Sequence, residues 1–288
     1  MTVAARPAAG AASAEGRGVG RRPQPGTELA GRSTGARAHL SVVRLPGVYP
    51  VQRDTWLLAD VVRRELTDGP ASSSRVLELG AGTGAVSAVA AGIAGSRVTA
   101  VDLSRRALAS TWLNAHLRGR RVRVRRGDLG RPVAGERFDV IVSNPPYVPA
   151  PTDRLPEHGA ARAWDGGRDG RVVLDRVCDQ APALLAPGGR LLLVHSALNG
   201  VDETVRRLAA DGLAVDVVAR CRHPFGPVLT ARAALLEDRG LVAPGVRTEE
   251  LVVVRARRPG VTGPPREDDR RAGEHRSRPS GRSPCPIT

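Results

Sequence analysis

Asn144-Pro145-Pro146-Tyr147 is the stretch whose residue types and order point most directly to chemistry. Two consecutive prolines have fixed φ and no N–H to donate. A residue that precedes proline is pushed to extended geometry, so Asn144 does not continue into a helix. The tetrapeptide is therefore a stiff platform with free carbonyls. The amide oxygen of Asn144 and the carbonyl of Pro145 can each accept one hydrogen of a planar N–H₂ group, and the ring of Tyr147 can lie against its face. Pro146 keeps the platform extended. The plainer reading is an Asn-Pro turn after a core strand. The run before it, Val140 to Val142, reads as a short buried strand. The platform thus falls at a strand's carboxyl end, the edge where open α/β sheets bind ligands.

Three more strand ends carry polar groups. Arg75-Val76-Leu77-Glu78-Leu79-Gly80-Ala81-Gly82-Thr83-Gly84 is an apolar strand that runs into a glycine turn and then an Ala-rich helix. The glycines permit a tight turn and close backbone approach to a ligand. The spacing is Gly-x-Gly-x-Gly, with Glu78 two residues before the first glycine, which differs from the dinucleotide fingerprint. A pyrophosphate would gain little from Glu78, whereas a cationic amino group would gain from it. Val98 to Asp102 is a second strand ending in an acid, about 20 residues past the glycine turn, where a carboxylate accepts both ribose hydroxyls. Asp102 could serve instead as a helix cap, a role Ser104 also fills. After the third strand, Val122 to Val124, comes Gly127-Asp128-Leu129. Asp128 can accept a hydrogen of an adenine amino group while Leu129 packs on the ring.

Strands that alternate with helices argue for an α/β, doubly wound, parallel sheet. Order should begin near His39. Asp54 or Thr55 is the expected N-cap of a helix carrying Leu57, Leu58, Val61, Val62 and Leu66 on one face, which Asp68-Gly69-Pro70 ends. Ser104 to Leu117 and Arg171 to Leu185 are further expected helices. Trp164-Asp165-Gly166-Gly167-Arg168-Asp169-Gly170-Arg171 is a loop that could line the site or simply turn and cap. Pro187-Gly188-Gly189 should turn the chain into a strand from Arg190 to Val194, with Ala214 to Ala219 and Glu250 to Arg255 closing the sheet. His195 and His223 lack partnered His or Cys spacing and read as structural.

All of the chain's basic side chains that carry full charge are arginines, and the formal net charge is +15. With abundant Ala, Gly and Pro, this reads more as genome composition than as a nucleic-acid site. The three cysteines, Cys178, Cys221 and Cys285, are far apart and form no CxxC pair, so neither a zinc site nor a disulfide framework is indicated. A metal-free, reducing, cytoplasmic setting fits. No apolar run approaches the length of a membrane span. Residues 1–38 and 259–288 lack hydrophobic periodicity and are expected to be disordered, which leaves 39–258 as the folded domain.

Taken together, Glu78-x-Gly80-x-Gly82-x-Gly84, Asp102, Asp128 and Asn144-Pro145-Pro146-Tyr147 resemble a class I S-adenosylmethionine-dependent methyltransferase. The Asn-Pro-Pro-Tyr form, the segment Tyr49 to Leu58 and the Trp-Asp-Gly-Gly run resemble the compact branch of the HemK family, which methylates the glutamine of the Gly-Gly-Gln motif in translation release factors. The resemblance covers about Val48 to Arg257. One departure is that Tyr49 is followed directly by Pro50. The resemblance implies a Rossmann-like, seven-stranded, mostly parallel sheet whose last strand is antiparallel. It implies S-adenosyl-L-methionine held by Thr55, Glu78, Gly80, Gly82, Asp102, Asp128, Leu129 and Asn144. It implies a protein acceptor met by Asn144, Pro145, Pro146 and Tyr147, with Asn144, Pro145 and Tyr147 carrying the chemistry. Some relatives in this branch pair with a small zinc-binding activator subunit. The rival substrate class is nucleic acid, with the exocyclic amino group of a flipped base on the same platform.

Overall fold

The computed structural model describes residues 42–68 and 74–260. The expectations for the first 38 residues, for the Gly69-Pro70 stop and for the tail from residue 261 lie outside the described residues. Seven strands form one sheet: β1 (Arg75–Leu79), β2 (Arg97–Asp102), β3 (Val122–Arg126), β4 (Phe138–Ser143), β5 (Leu185–Ser196), β6 (Ala214–Pro224) and β7 (Thr248–Arg257). Their order is β3-β2-β1-β4-β5-β7-β6. The pairs from β3 through β5 are parallel, and β7 runs antiparallel to both β5 and β6. This is the expected doubly wound sheet with its last strand reversed.

The central strands are apolar on both faces because helices cover both sides. Leu77, Ile141, Leu191, Leu193, Val252 and Val254 point into one core with α4 (Val172–Leu184) and α5 (Val201–Ala210). Their neighbours Val76, Val140, Val142, Leu192, Val194 and Val253 point into the opposite core with α1 (Arg53–Thr67) and α2 (Ala85–Ala90). The two-residue period of a strand assigns each side chain to its layer. A third apolar cluster, including Tyr147, Phe225, Leu229 and Leu251, lies around the platform. Two short helices, α6 (Pro227–Ala231) and α7 (Ala233–Asp238), supply part of it.

Three local details differ from the sequence reading. Helix α1 starts at Arg53, with Gln52 at the N-cap and no side-chain cap bond. Asp54 and Thr55 lie in its first turn, and the Asp54 carboxylate is committed elsewhere. The Pro187-Gly188-Gly189 turn is absorbed into β5 as an irregularity: pairing passes from Phe138–Leu185 to Val140–Arg190. Strand β6 runs five residues past its expected end, to Pro224. Helix α3 (Arg105–His116) starts as expected, with Ser104 Oγ accepting from the Ala107 N–H at 3.3 Å.

Helix α2 leaves the glycine turn at Gly84, whose φ is +73°. A Cβ there would lie 2.6 Å from Thr111 Cα on α3, backbone that cannot swing aside. Gly84→Ala is therefore expected to cost about 1–3 kcal/mol from backbone strain, with the clash adding to it. Urea unfolding checks this, and an unchanged midpoint would remove the close α2–α3 approach as a constraint.

Candidate active site

The four strand ends converge on one edge of the sheet. The turn after β1 is drawn over β2 by the Val101 carbonyl, which accepts from the Gly80 N–H at 2.9 Å and the Ala81 N–H at 3.1 Å. Polar residues on the inner face of α3 hold it from above. Thr111 Oγ1 donates to the Gly82 carbonyl at 3.2 Å, and Asn114 Nδ2 donates to the Thr83 carbonyl at 2.9 Å. Asn114 also pairs with both the N–H and the carbonyl of Val43, at 2.8 and 2.7 Å, which fastens the entry segment to the same helix. These α3 contacts escaped the sequence reading. Their signal is the buried polar set Ser110, Thr111 and Asn114 on a helix face that should be apolar.

A cavity of about 830 Å³ opens there. Every residue expected to hold a cofactor lines it: Thr55, Glu78, Gly80, Gly82, Asp102, Asp128, Leu129 and Asn144. Pro146 also lines it, whereas Pro145 and Tyr147 do not. Tyr147 lines a second, smaller cavity of about 310 Å³ with Tyr49, Asp54, His223 and Glu249.

Glu78 is buried, and its Oε2 accepts from the Ser87 N–H at 2.9 Å and from the Ser87 hydroxyl. Its Oε1 has no hydrogen-bond partner among the described residues. Burial pushes the carboxyl up to about 8; the Ser87 bonds oppose this and the Asp102 charge adds to it. Asp102 accepts from the Gly82 N–H on Oδ2 at 2.9 Å and from the Ser104 N–H on Oδ1 at 2.7 Å. Burial raises its pKa against those two bonds. Each oxygen keeps a lone pair for a further donor. Asp128 is ion-paired with Arg176 of α4. Leu129 is buried at φ +47°, the one non-glycine residue among those described with positive φ. For a γ-branched side chain this is unusual, and such geometry collects where surroundings fix it for a purpose.

The side-chain amide of Asn144 has no partner within the described residues and faces the large cavity. The platform behind it is clamped. The Tyr147 hydroxyl donates to Asp54 Oδ2 at 2.9 Å in a buried contact. Burial and the Asp54 and Glu249 charges raise the Tyr147 pKa, which keeps the phenol a donor. The Tyr147 carbonyl accepts from Asn199 Nδ2 at 2.8 Å. Val148 donates to the Trp164 carbonyl at 2.8 Å and accepts from the Gly166 N–H at 2.9 Å, so the Trp164–Arg171 loop pairs with the chain just past the platform. Arg171 secures the other side through the Asn199 carbonyl and Asp175. His195 is fully buried, bonded to its neighbour's carbonyl at 2.8 Å and lowered to about 4 by burial; it lines neither cavity. No group of three metal-ligating side chains occurs among the described residues, and no helix among them is long and apolar enough to cross a membrane.

Residues 39–155 match the family model described as the methyltransferase small domain. A putative protein N5-glutamine methyltransferase of Methanocaldococcus jannaschii is 34% identical over 188 residues, 65% of this chain and 92% of its own length. The human methyltransferase HEMK2 is 32% identical over 186 residues, 63% of this chain and 86% of its own. Among solved structures, the E. cuniculi Mtq2–Trm112 complex, described as responsible for methylating the eRF1 translation termination factor, shares the fold. It has a TM-score of 0.51 and 24% identity, and the match covers 74% of this chain and 99% of that one.

The Glu78 shift sets a pH dependence. Its folded pKa lies above the unfolded value, so the native state holds the extra proton between about 4.5 and about 8. This contribution to stability is complete below that window and lost as pH rises through it. The melting temperature of the wild-type protein should therefore fall, relative to Glu78→Gln, between pH 5 and pH 8. Parallel melting curves in the two proteins would count against a buried, protonated Glu78.

Proposed function

Because the chain belongs to the HemK-type family of class I methyltransferases, we propose that it methylates the side-chain amide nitrogen of a glutamine in a protein, with S-adenosylmethionine as donor. The observation that carries this is the unpartnered amide of Asn144, held on a clamped platform beside the cavity that Glu78 and Asp102 line. A translation release factor is the proposed acceptor, on the resemblance of the Asn-Pro-Pro-Tyr and Trp-Asp-Gly-Gly runs to that family. That acceptor sets the reaction in the cytoplasm.

The residues fit the donor. The free Oε1 of buried Glu78 suits a cationic amino group, which would favour the ionised carboxylate. The remaining lone pairs of Asp102 suit a ribose diol, and Leu129 offers an apolar wall to a purine ring whose amino group Asp128 can accept. Thr55 and the glycine turn line the same cavity. S-adenosylmethionine supplies an electrophilic methyl group on a sulfonium.

The acceptor amide is a poor nucleophile because its lone pair is delocalised. Asn144 Oδ1 and the Pro145 carbonyl would hold its two hydrogens and direct the nitrogen face towards the cavity. Pro146 keeps those two acceptors at fixed separation. Tyr147 acts from behind, because its hydroxyl is bound to Asp54 and its ring packs with Phe225 and Leu229. Positioning of this kind can contribute about 7–11 kcal/mol to lowering a barrier. No strong base is required, since the proton leaves after transfer, when the nitrogen is acidic.

Asn144→Ala should lower turnover by about 10²-fold or more, a usual loss for one positioned transition-state group. Donor affinity should change much less. Asn144→Asp keeps an acceptor oxygen but adds a charge near the sulfonium, so tight donor binding with poor turnover is expected. The assay uses a release factor with a Gly-Gly-Gln motif and its Gln→Asn variant, with and without a Trm112-type subunit. Transfer of label to the Gln form alone supports the proposal. Label found in DNA or RNA and not in protein would replace it with the base-methylating alternative.

A further inference from the structure

The excursion between β6 and β7 packs its two short helices against the apolar cluster around the platform, through Leu229 of α6 and Leu236 of α7. From there two arginines reach the chain that follows the platform. Arg232 Nη1 donates to the Pro149 carbonyl at 2.9 Å and is ion-paired with Asp165 Oδ1 at 2.6 Å. Arg239, at the C-cap of α7, serves three carbonyls. Its Nη1 donates to those of Ala150 and Arg168, both at 2.7 Å, and its Nη2 to that of Pro151 at 2.9 Å. No backbone N–H among the described residues bonds these three carbonyls, so the guanidinium satisfies groups that the backbone leaves bare.

Pro149 to Pro151 lead away from the platform, and Asp165 to Arg168 return towards α4. Each arginine therefore joins the outgoing limb of one long strap to its returning limb. The limbs also pair directly. The Ala150 N–H donates to the Gly167 carbonyl at 2.7 Å, and the Arg168 N–H to Asp153 Oδ1 at 2.7 Å. The middle of the strap is held differently. Its ion pair, Arg154 with Glu157 at 3.6 Å, and its side-chain hydrogen bond, Arg162 to the Glu157 carbonyl at 3.0 Å, both stay within it. Leu155 packs on the core, and the charge of Arg162 acts on Asp102. Eight of the nine residues from Leu155 to Ala163 line the large cavity. One wall of that cavity is thus a strap fastened at its neck.

We propose that Arg239 is a positioning residue, which clasps the neck of this strap and keeps the strap closed on the bound methyl donor. The inference rests on the donor reading given under the proposed function. Arginine suits the role because its planar fork serves several acceptors at fixed angles, whereas the ammonium of lysine is a point charge on a flexible stem. The excursion that carries Arg239 also packs against the ring of Tyr147, so the acceptor platform and the donor wall share one support.

The test uses the full chain. Hydrogen exchange followed by NMR reads the neck without any substrate, at the Ala150, Gly166 and Arg168 amides that hold the limbs together. Arg239→Ala should speed exchange at these three by about tenfold and leave β4 and β5 unchanged. Calorimetric titration with S-adenosylmethionine should show binding about tenfold weaker, since apparent affinity falls with the closed fraction. Single-turnover transfer at saturating donor should stay within about threefold of wild type. Arg239→Lys should match Arg239→Ala within about threefold in exchange and affinity. If Arg239→Ala does not fold, Arg239→Gln replaces it. The inference is overturned if the three amides keep wild-type rates, if donor affinity is unchanged, or if Arg239→Lys restores both. Faster exchange in β4 and β5 as well, with an early melt, would also overturn it, because Arg239 would then serve general stability. Faster exchange at the neck and weaker donor binding, in a protein that methylates no glutamine, would leave the clasp standing and overturn the acceptor reading alone.

Discussion

The bond between the Tyr147 hydroxyl and the buried carboxylate of Asp54 is the contact on which the site depends. It joins the first turn of α1 to the platform that follows β4, across 93 positions of sequence. A hydrogen bond to a buried carboxylate is among the stronger kinds, and removing one partner leaves the other desolvated and unsatisfied. The prolines fix the shape of the platform, but they cannot fix its place. Placement comes from Asp54 at the ring, Asn199 at the Tyr147 carbonyl and the Trp164–Gly166 backbone at Val148. With those three holds in place, the Asn144 amide has no partner among the described residues and is available to a ligand.

The same economy of partners runs through the cavity. Ser87 satisfies one oxygen of Glu78 and leaves the other. Backbone N–H groups orient both oxygens of Asp102 without exhausting them. Burial raises both acids, so each gains most when a ligand supplies the missing donor. Only Asp128 is already paired, with Arg176. A ligand's amino group there would share the carboxylate with that arginine.

The strands and the polar residues at their ends were legible in the sequence because short apolar runs bounded by Gly, Pro and acids have few other readings. Glu78, Asp102, Asp128 and Asn144 each sit at or just past the carboxyl end of a strand, and all four line one cavity. What supports them was less legible. Asp54 looks like a helix cap, and nothing local reveals a tyrosine partner so distant in sequence. The pairing of Val148 with the Trp164 loop uses backbone groups, which any residue could supply. A trace remains in Gly170, where a Cβ would lie 2.1 Å from the Tyr147 carbonyl oxygen. Helices α6 and α7 are only 5 and 6 residues long, too short for periodicity to register. Tyr147 was expected to face the acceptor, and its ring instead packs with Phe225 and Leu229 beside the smaller cavity.

On this reading, Asp54 acts on methyl transfer through Tyr147, by holding the platform. A double-mutant cycle of Asp54→Asn and Tyr147→Phe, read as single-turnover transfer to a glutamine acceptor with donor affinity measured alongside, tests it most directly. Each single variant should slow transfer while changing donor affinity little, and the double variant should be no slower than the slower single. Losses that simply add, or full transfer in Asp54→Asn, would contradict the clamp.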